Sequence, residues 1–296
     1  MIPAYHCNEY LAQCLNSVLM QDLGPEQMQI AVVNDDPSDD HCAKVVGAFA
    51  GGRVEYHRNE RNLSVGGNFN RCIALASREL VLILHGDDFL REHYFERLSA
   101  LAVANPSAGM IACRAHGVDV EGVVNWVSRR YREFETLSFD DSPIWESLHL
   151  MPCALVVRRK VYAQIGAFRQ DIDICLDWEM WGRVIRAAGI IMTPEVLAAY
   201  RQHAGSITGR SRRSAQNIRE FGHYYDLLAA RLPRYPIARM RQGLASMALG
   251  QGLEYQRLGD AEAAAANLRA WRVLTPLSSR VVTVLKRGVK KLLGRN

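Results

Sequence analysis

The stretch LVLILHGDDFL, residues 80–90, constrains the chain more than any other. Its apolar run, residues 80–84, is too short for a membrane span and reads as a strand buried on both faces. Such a strand needs neighbours beside it and helices above and below, which is an α/β arrangement. The run ends abruptly in His85, Gly86, Asp87 and Asp88. Carboxylates just past the carboxyl end of a buried strand point to a ligand or metal site.

The flanking chain supplies the other parts. Residues 10–21 read as a helix with Leu11, Cys14, Leu15, Val18 and Leu19 on one face, and residues 29–33 as a strand ending in the polar turn NDDPSDD. A short strand is expected over 53–57, a helix over 68–77, a helix over 93–104 that stops before Asn105-Pro106, and a strand over 109–114. Residues 119–152 are polar and irregular, rich in Trp, Tyr, Arg and Ser. A strand follows over 153–158, then a helix ending at Gly166, then the amphipathic helix of CLDWEMWGRVIRAAG closed by Gly189. Residues 190–200 carry the last strand pattern, and RQHAGSITGRSRR is expected to be a basic, Gly/Ser-rich loop. From Ser214 onward the pattern is helical, interrupted at Pro233, Pro236 and Pro276. Residues 247–276 resemble one tetratricopeptide-like helix pair, and a single pair packs on a domain rather than forming an array.

Composition removes several classes. The chain has 296 residues, 49% hydrophobic and 23% charged, as expected of a globular protein with a sizeable core. No apolar run approaches the roughly 20 residues needed to span a bilayer. Residues 5–10 are polar where the apolar region of a signal peptide would begin. The 7 cysteines are scattered and never spaced CxxC, which argues for reduced thiols in a cytoplasm. The formal charge of +5 comes from one end: Arg280, Lys286, Arg287, Lys290, Lys291 and Arg295 lie in residues 277–296, which hold no acid. The near-neutral remainder lacks the broad basic face of a nucleic-acid binder. The tail has Val281, Val284, Leu285, Leu292 and Leu293 near helical spacing, so it can lie on an anionic membrane. The expected location is therefore cytoplasmic, with peripheral attachment to the inner face of a membrane.

Four segments carry chemistry in order: IPAYHCNEYLAQCLNSVLMQ; IAVVNDDPSDD; RNLSVGGNFNRCIALASRELVLILHGDD; and IGAFRQDIDICLDWEMWGRVIRAAG with its sequel YRQHAGSIT. As a set, over residues 2–208, they resemble the inverting, GT-A-fold glycosyltransferases of family 2. The resemblance implies a Rossmann-like, mostly parallel central sheet flanked by helices over residues 1–210, with an all-helical extension over 211–296. It implies transfer of a sugar from a UDP-, dTDP- or GDP-linked donor to a glycan or lipid-linked acceptor, assisted by Mn2+ or Mg2+, in cell-surface polysaccharide synthesis.

Site residues follow from matching the family's motifs. Asp35 would contact the base, within a pocket walled by Pro3, Ala4 and Tyr5, and Glu9, Asn70 and Asp88 join the donor-binding set. Asp35 and Asp36 also suit that task chemically, since carboxylates accept from base N–H groups and ribose hydroxyls. Asp87 matches the metal ligand, because a departing diphosphate needs its charge screened by a hard cation. His85 replaces the ribose-contacting acid of the family pattern. It can hydrogen-bond a hydroxyl but adds no negative charge, so one protein carboxylate is expected on the metal. Asp177, at the start of the amphipathic helix, matches the general base, and Glu179 points some 200° away from it on a helix. Arg201 and His203 are candidates to approach the diphosphate, with His203 a second metal ligand. Asp88 also suits a helix N-cap ahead of FLREHYF, and Trp181 suits the core.

The sequence departs from the family at Asn34, Pro37 and Ser64, which stand where an acid, a glycine and a glycine are usual. Only Met1 and Ile2 precede Pro3 in the first strand, so either the strand is unusually short or the chain starts upstream, in which case an extension of about four to six apolar, β-branched residues is expected. A dinucleotide-binding reading lacks its glycine-rich loop, since PAYHCNEY holds no glycine. The remaining alternative is a catalytically silent relative acting as a scaffold through its C-terminal helices.

Overall fold

Strand pairing begins with the first residues. In the computed structural model, which describes residues 1–128, 150–231 and 235–275, strand β1 (Ile2–Ala4) runs into helix α1 (Asn8–Leu19) and then strand β2 (Ala31–Asn34). Helix α2 (Asp40–Ala50), strand β3 (Glu55–Arg58) and helix α3 (Ser64–Leu75) follow, then strands β4 (Leu80–Val81) and β5 (Phe89–Leu90) and helix α4 (Tyr94–Ala104). Strands β6 (Met110–Val118), β7 (Val124–Val127) and β8 (Leu155–Arg158) lead to helices α5 (Arg159–Ile165) and α6 (Leu176–Ala188), strand β9 (Ile190–Arg201) and helix α7 (Ile207–Ser214). Helices α8 (Gln216–Arg231), α9 (Ile237–Arg257) and α10 (Ala261–Leu274) complete the described chain.

The chain divides into two compact units, Met1–His203 and Ala204–Asn296. In the first, β1, β2 and β3 form a parallel sheet with Ala4 paired to Asn34, and all of β1 and β2 is buried. The second sheet runs β4-β8-β6-β9-β5, with β7 on β6; β6 and β9 are parallel and the other pairs antiparallel. Residues 82–84 join the sheets: the Met1 nitrogen donates to Leu82 O and Leu84 N donates to Met1 O, both at 3.0 Å, as in a parallel pair. The expected strand over 80–84 is thus split between two partners. Leu11, Leu15 and Val18 of α1, Leu84 of this segment, and Tyr94 and Leu98 of α4 share one core.

Local chemistry sets the helices. Asp39 caps α2 by accepting from the backbone N–H groups of His41 and Cys42, a helix that the polar run NDDPSDD conceals. The expected loop RQHAGSITGRSRR instead contains α7, started by Ser206, whose hydroxyl accepts from Gly209 N at 3.0 Å. Asp88 caps nothing: the residues after it form β5, and α4 begins after His93. Ser64, where glycine is usual, has φ +64 and begins α3 in the left-handed region.

In the second unit α9 and α10 pack together, with Leu244, Ala245 and Ala248 buried on one and Ala263, Ala264 and Asn267 on the other. Small residues at the seam let the helix backbones approach closely, and a Cβ at Gly252 would stand 2.8 Å from the Leu268 side chain. No described helix is long and apolar enough to cross a membrane. The basic tail and most of the irregular 119–152 stretch lie outside the described residues.

Candidate active site

Parallel pairing brings the carboxyl ends of β1, β2 and the 82–84 segment side by side, so the turns after Ala4, Asn34 and Leu84 share one edge. Asp35 N donates to Ala4 O at 2.9 Å. The Asp35 side chain is almost fully buried in a cradle of amides: Asn59 Nδ2 donates to its Oδ1 at 2.7 Å and Leu63 N donates to the same oxygen at 2.9 Å. Asn59 also donates to Asn68, which in turn donates to Val33 O. Burial raises the Asp35 carboxyl above its ordinary value, and the donated hydrogen bonds oppose that shift. Asn62 Nδ2 donates to Asp35 O at 3.1 Å, and the density of asparagines in RNERNLSVGGNFN is the sequence signal for this cradle, which motif matching alone misses.

Pro3 and Ala4 are buried within β1, whereas Tyr5 is exposed and stacks on His6 with ring centroids 4.1 Å apart. His6 reaches Asp36 at 3.2 Å, and Asp36 closes an Asx turn by accepting from Ser38 N and Ser38 Oγ. Glu9 is exposed beside Tyr10 on the first turns of α1. Asn70 makes a two-way clamp on the Phe168 backbone, donating to its carbonyl at 2.9 Å and accepting from its N–H at 2.7 Å.

The second turn, His85 to Asp88, sits against the first. A Cβ at Gly86 would stand 2.5 Å from Cys7 Sγ, so only glycine allows the approach. The Cys14 thiol lies 3.6 Å from His85 O. His203 Nε2 pairs with Asp87 Oδ2 at 3.0 Å, and Asp88 Oδ1 accepts from Arg201 N at 2.8 Å. Arg201 is 2% exposed. Its Nε donates to Asp87 O, its Nη1 to the carbonyls of Asp119 and Val120, and its Nη2 to Gln13, while the Tyr10 ring lies 4.6 Å from its guanidinium carbon. The planar fork thereby ties the acidic turn to α1 and to the β6–β7 hairpin. Burial works to raise the Asp87 carboxyl, but the hydrogen bond from His203 and the charges of His85 and His203 prevail and hold it below its ordinary value. Asp88 is pushed well above by burial and then by Asp87, and burial lowers the His85 imidazole.

These residues suit a divalent cation. His85, Asp87 and Asp88 each offer a ligand atom, all within 4.8 Å of one another. His85 Nε2 is buried without a hydrogen-bond partner, whereas the buried Asp88 carboxyl takes the Cys153 thiol as well as Arg201 N. Leaving an atom like His85 Nε2 unpaired costs about 1–3 kcal/mol, a cost that a cation at the cluster would offset.

Asp177 occupies the first turn of α6, whose Leu176, Met180, Trp181, Val184 and Ile185 are buried. Trp181 meets Phe168 edge-on at 5.9 Å and belongs to the core. Glu179 is buried and forms an ion pair with Arg183 at 2.8 Å, whose guanidinium also donates to the carbonyls of Ile165 and Ala167. The Asp177 carboxyl keeps partial solvent access and accepts from Trp178 N at 2.8 Å. Dense surrounding protein pushes it up to about 7, against the pull of backbone hydrogen bonds. Two cavities of about 400 and 720 Å³ lie elsewhere, one lined by Ile30, Leu80 and Phe95 and the other by Ile73, Lys160 and Tyr162.

A three-stranded parallel sheet beside a curled mixed sheet, with an acidic turn between them, defines the GT-A glycosyltransferase fold. Residues 1–166 match Glycosyl transferase family 2, more than half of the chain, and the chain belongs to that family. It is similar to an uncharacterized protein of Mycobacterium tuberculosis, 29% identical over 229 residues that cover 73% of this chain and 70% of that one. Among solved structures it resembles Staphylococcus aureus TarS 1–349 in complex with UDP-GlcNAc, with TM-score 0.59 and 15% identity over 92% of this chain and 90% of that chain. It also resembles the mannosyltransferase PcManGT from Pyrobaculum calidifontis in complex with GDP-Man and Mn2+, with TM-score 0.59 and 14% identity over 98% of this chain and 79% of that chain.

Proposed function

We propose that the chain transfers a sugar from a nucleotide-diphosphate donor to a hydroxyl of a glycan or lipid-linked acceptor, with inversion at the anomeric carbon. The observation that carries this reading is the acidic turn, with Asp87 and Asp88 held by His203 and Arg201 at the edge where Asp35 is cradled. Asp35 accepts from the base, Tyr5 and the buried Pro3-Ala4 strand end form the wall beside it, and Glu9 and Asp36 line the approach. Asp87 and His203 hold a divalent cation, Mn2+ or Mg2+, which when bound screens the diphosphate as it departs. Arg201 acts through the turn it fastens, and Asn70 through the Phe168 loop it clamps.

Asp177 takes the proton from the acceptor hydroxyl as that oxygen attacks. Its raised proton affinity suits the task, since a general base works best with a pKa near the working pH. Inversion then needs no second carboxylate, because the nucleoside diphosphate leaves from the opposite side. The UDP-GlcNAc and GDP-Man bound by the similar structures support a UDP- or GDP-linked donor, and the Mn2+ of the second supports the cation. We further propose that residues 211–296 act as a helical extension whose basic tail meets anionic lipid at the inner face of a membrane. The core reading is tested by thermal shift with UDP, GDP, dTDP and their sugars, each with and without Mn2+. A cation-dependent rise with one nucleotide series is expected, and no shift with any would refute it.

A further inference from the structure

We infer that His85 is itself a ligand of the cation bound beside Asp87, so that the site favours cations that accept imidazole nitrogen, such as Co2+, over Mg2+. This rests on the metal reading of the turn given above and concerns which donor atoms it supplies. A histidine after the strand was expected to serve a hydroxyl. The structure instead gives it a ring nitrogen within 4.8 Å of the ligand oxygens of both Asp87 and Asp88. Its Nε2 is buried with no hydrogen-bond partner, although a neutral imidazole ordinarily satisfies both nitrogens.

The ring is also held in place. Phe69 lies 5.2 Å from it, centroid to centroid, and the Cys14 thiol fastens the His85 carbonyl at 3.6 Å. Gly86 then lets the chain turn sharply against Cys7 to bring Asp87 round. His203 Nε2 also stands 3.0 Å from Asp87 Oδ2. Mg2+ strongly prefers oxygen ligands in near-ideal octahedral geometry, whereas imidazole suits the later first-row metals. An acid at position 85 would give an oxygen-only turn. Histidine makes it a mixed nitrogen and oxygen set.

Two measurements test this on the full chain, with metals as the only ligands. Calorimetric titration with Co2+ and with Mg2+ is compared between the parent and His85→Asp. The preference for Co2+ should shrink at least about fivefold in the variant, because its ligand becomes oxygen. Pulsed EPR of bound Mn2+ should show a 14N coupling in the parent that is retained in His203→Ala, where His85 is the imidazole left beside Asp87. The second measurement leaves His85 intact and so does not depend on folding of the first variant. An unchanged preference, or bound Mn2+ without a 14N coupling, overturns the inference while leaving the metal site standing. If the parent binds neither Mn2+ nor Co2+, the metal reading falls and this inference with it.

Discussion

Replacing Asp177 by Asn removes one ionisable group while keeping the side chain's volume and an oxygen that can still accept from Trp178 N. The structure makes this a test of two properties together. The carboxyl's raised proton affinity, from 3.8 to about 7, means that ionising it in the folded protein is unfavourable. At about 1.4 kcal/mol per tenfold change, the shift corresponds to an upper limit of about 4 kcal/mol, and partial solvent access reduces it to about 2. Below the unfolded value both states of the parent are protonated, and Asn brings no advantage. Between 3.8 and about 7 the unfolded parent releases its proton while the folded parent keeps it, so the parent loses stability as pH rises. Above that window the advantage of Asp177→Asn is constant, at about 3 °C in melting temperature for a protein of this size. Activity should move the other way. The parent's kcat/KM should rise with pH through a midpoint near 7, and the variant should lose about 10²–10⁴-fold while binding donor and metal within a few-fold of the parent. Scanning calorimetry at pH 4 and pH 8, with initial rates over the same range, decides the matter. A melting difference independent of pH would contradict the buried-carboxyl argument, and more than about a tenth of the parent's activity would place the base elsewhere.

Asp87→Ala should abolish cation-dependent donor binding, measured by calorimetry with nucleotide and Mn2+, because the turn loses the carboxylate that His203 orients. Arg201→Lys should lower stability by about 2–4 kcal/mol in urea unfolding and weaken cation-dependent donor binding at least tenfold, since a lysine cannot reproduce the buried fork to Asp87, Asp119, Val120 and Gln13. Wild-type stability in that variant would show that the turn is held by something else. Binding to anionic vesicles should be lost on truncation after Pro276 and weakened by high salt, given the 6 basic residues beyond it; salt-insensitive flotation would assign the contact to another surface.

Much of the frame was legible because it is written in local patterns. The apolar run over 80–84 with its acidic sequel, the amphipathic helix that carries Asp177, and the β2 strand with its acids all appear within a few residues of their expected places. What escaped depends on capping or on distant partners. α7 is mostly Gly, Ser and Arg, with Ile207 as its one apolar side chain and so no apolar periodicity, and it is started by a serine cap. α2 was hidden by a polar run whose last acid is its cap. The bonds from Arg201 to the acidic turn join residues 113 and 114 positions apart, and no sequence window contains both. The amide cradle of Asp35 draws on Asn59 and Leu63 from beyond β3, which packing rather than periodicity brings within reach.

Inverting transfer with Asp177 as the base fixes the anomeric configuration of the product and makes its formation depend on that carboxylate. The most direct measurement is NMR of the product formed from an α-linked nucleotide sugar identified by thermal shift, with Mn2+ present, using the parent and Asp177→Asn. The account predicts a β-linked product from the parent, no product after chelation of the cation, and at least a hundredfold slower transfer by the variant. An α-linked product, or transfer by Asp177→Asn at the parent's rate, would contradict it.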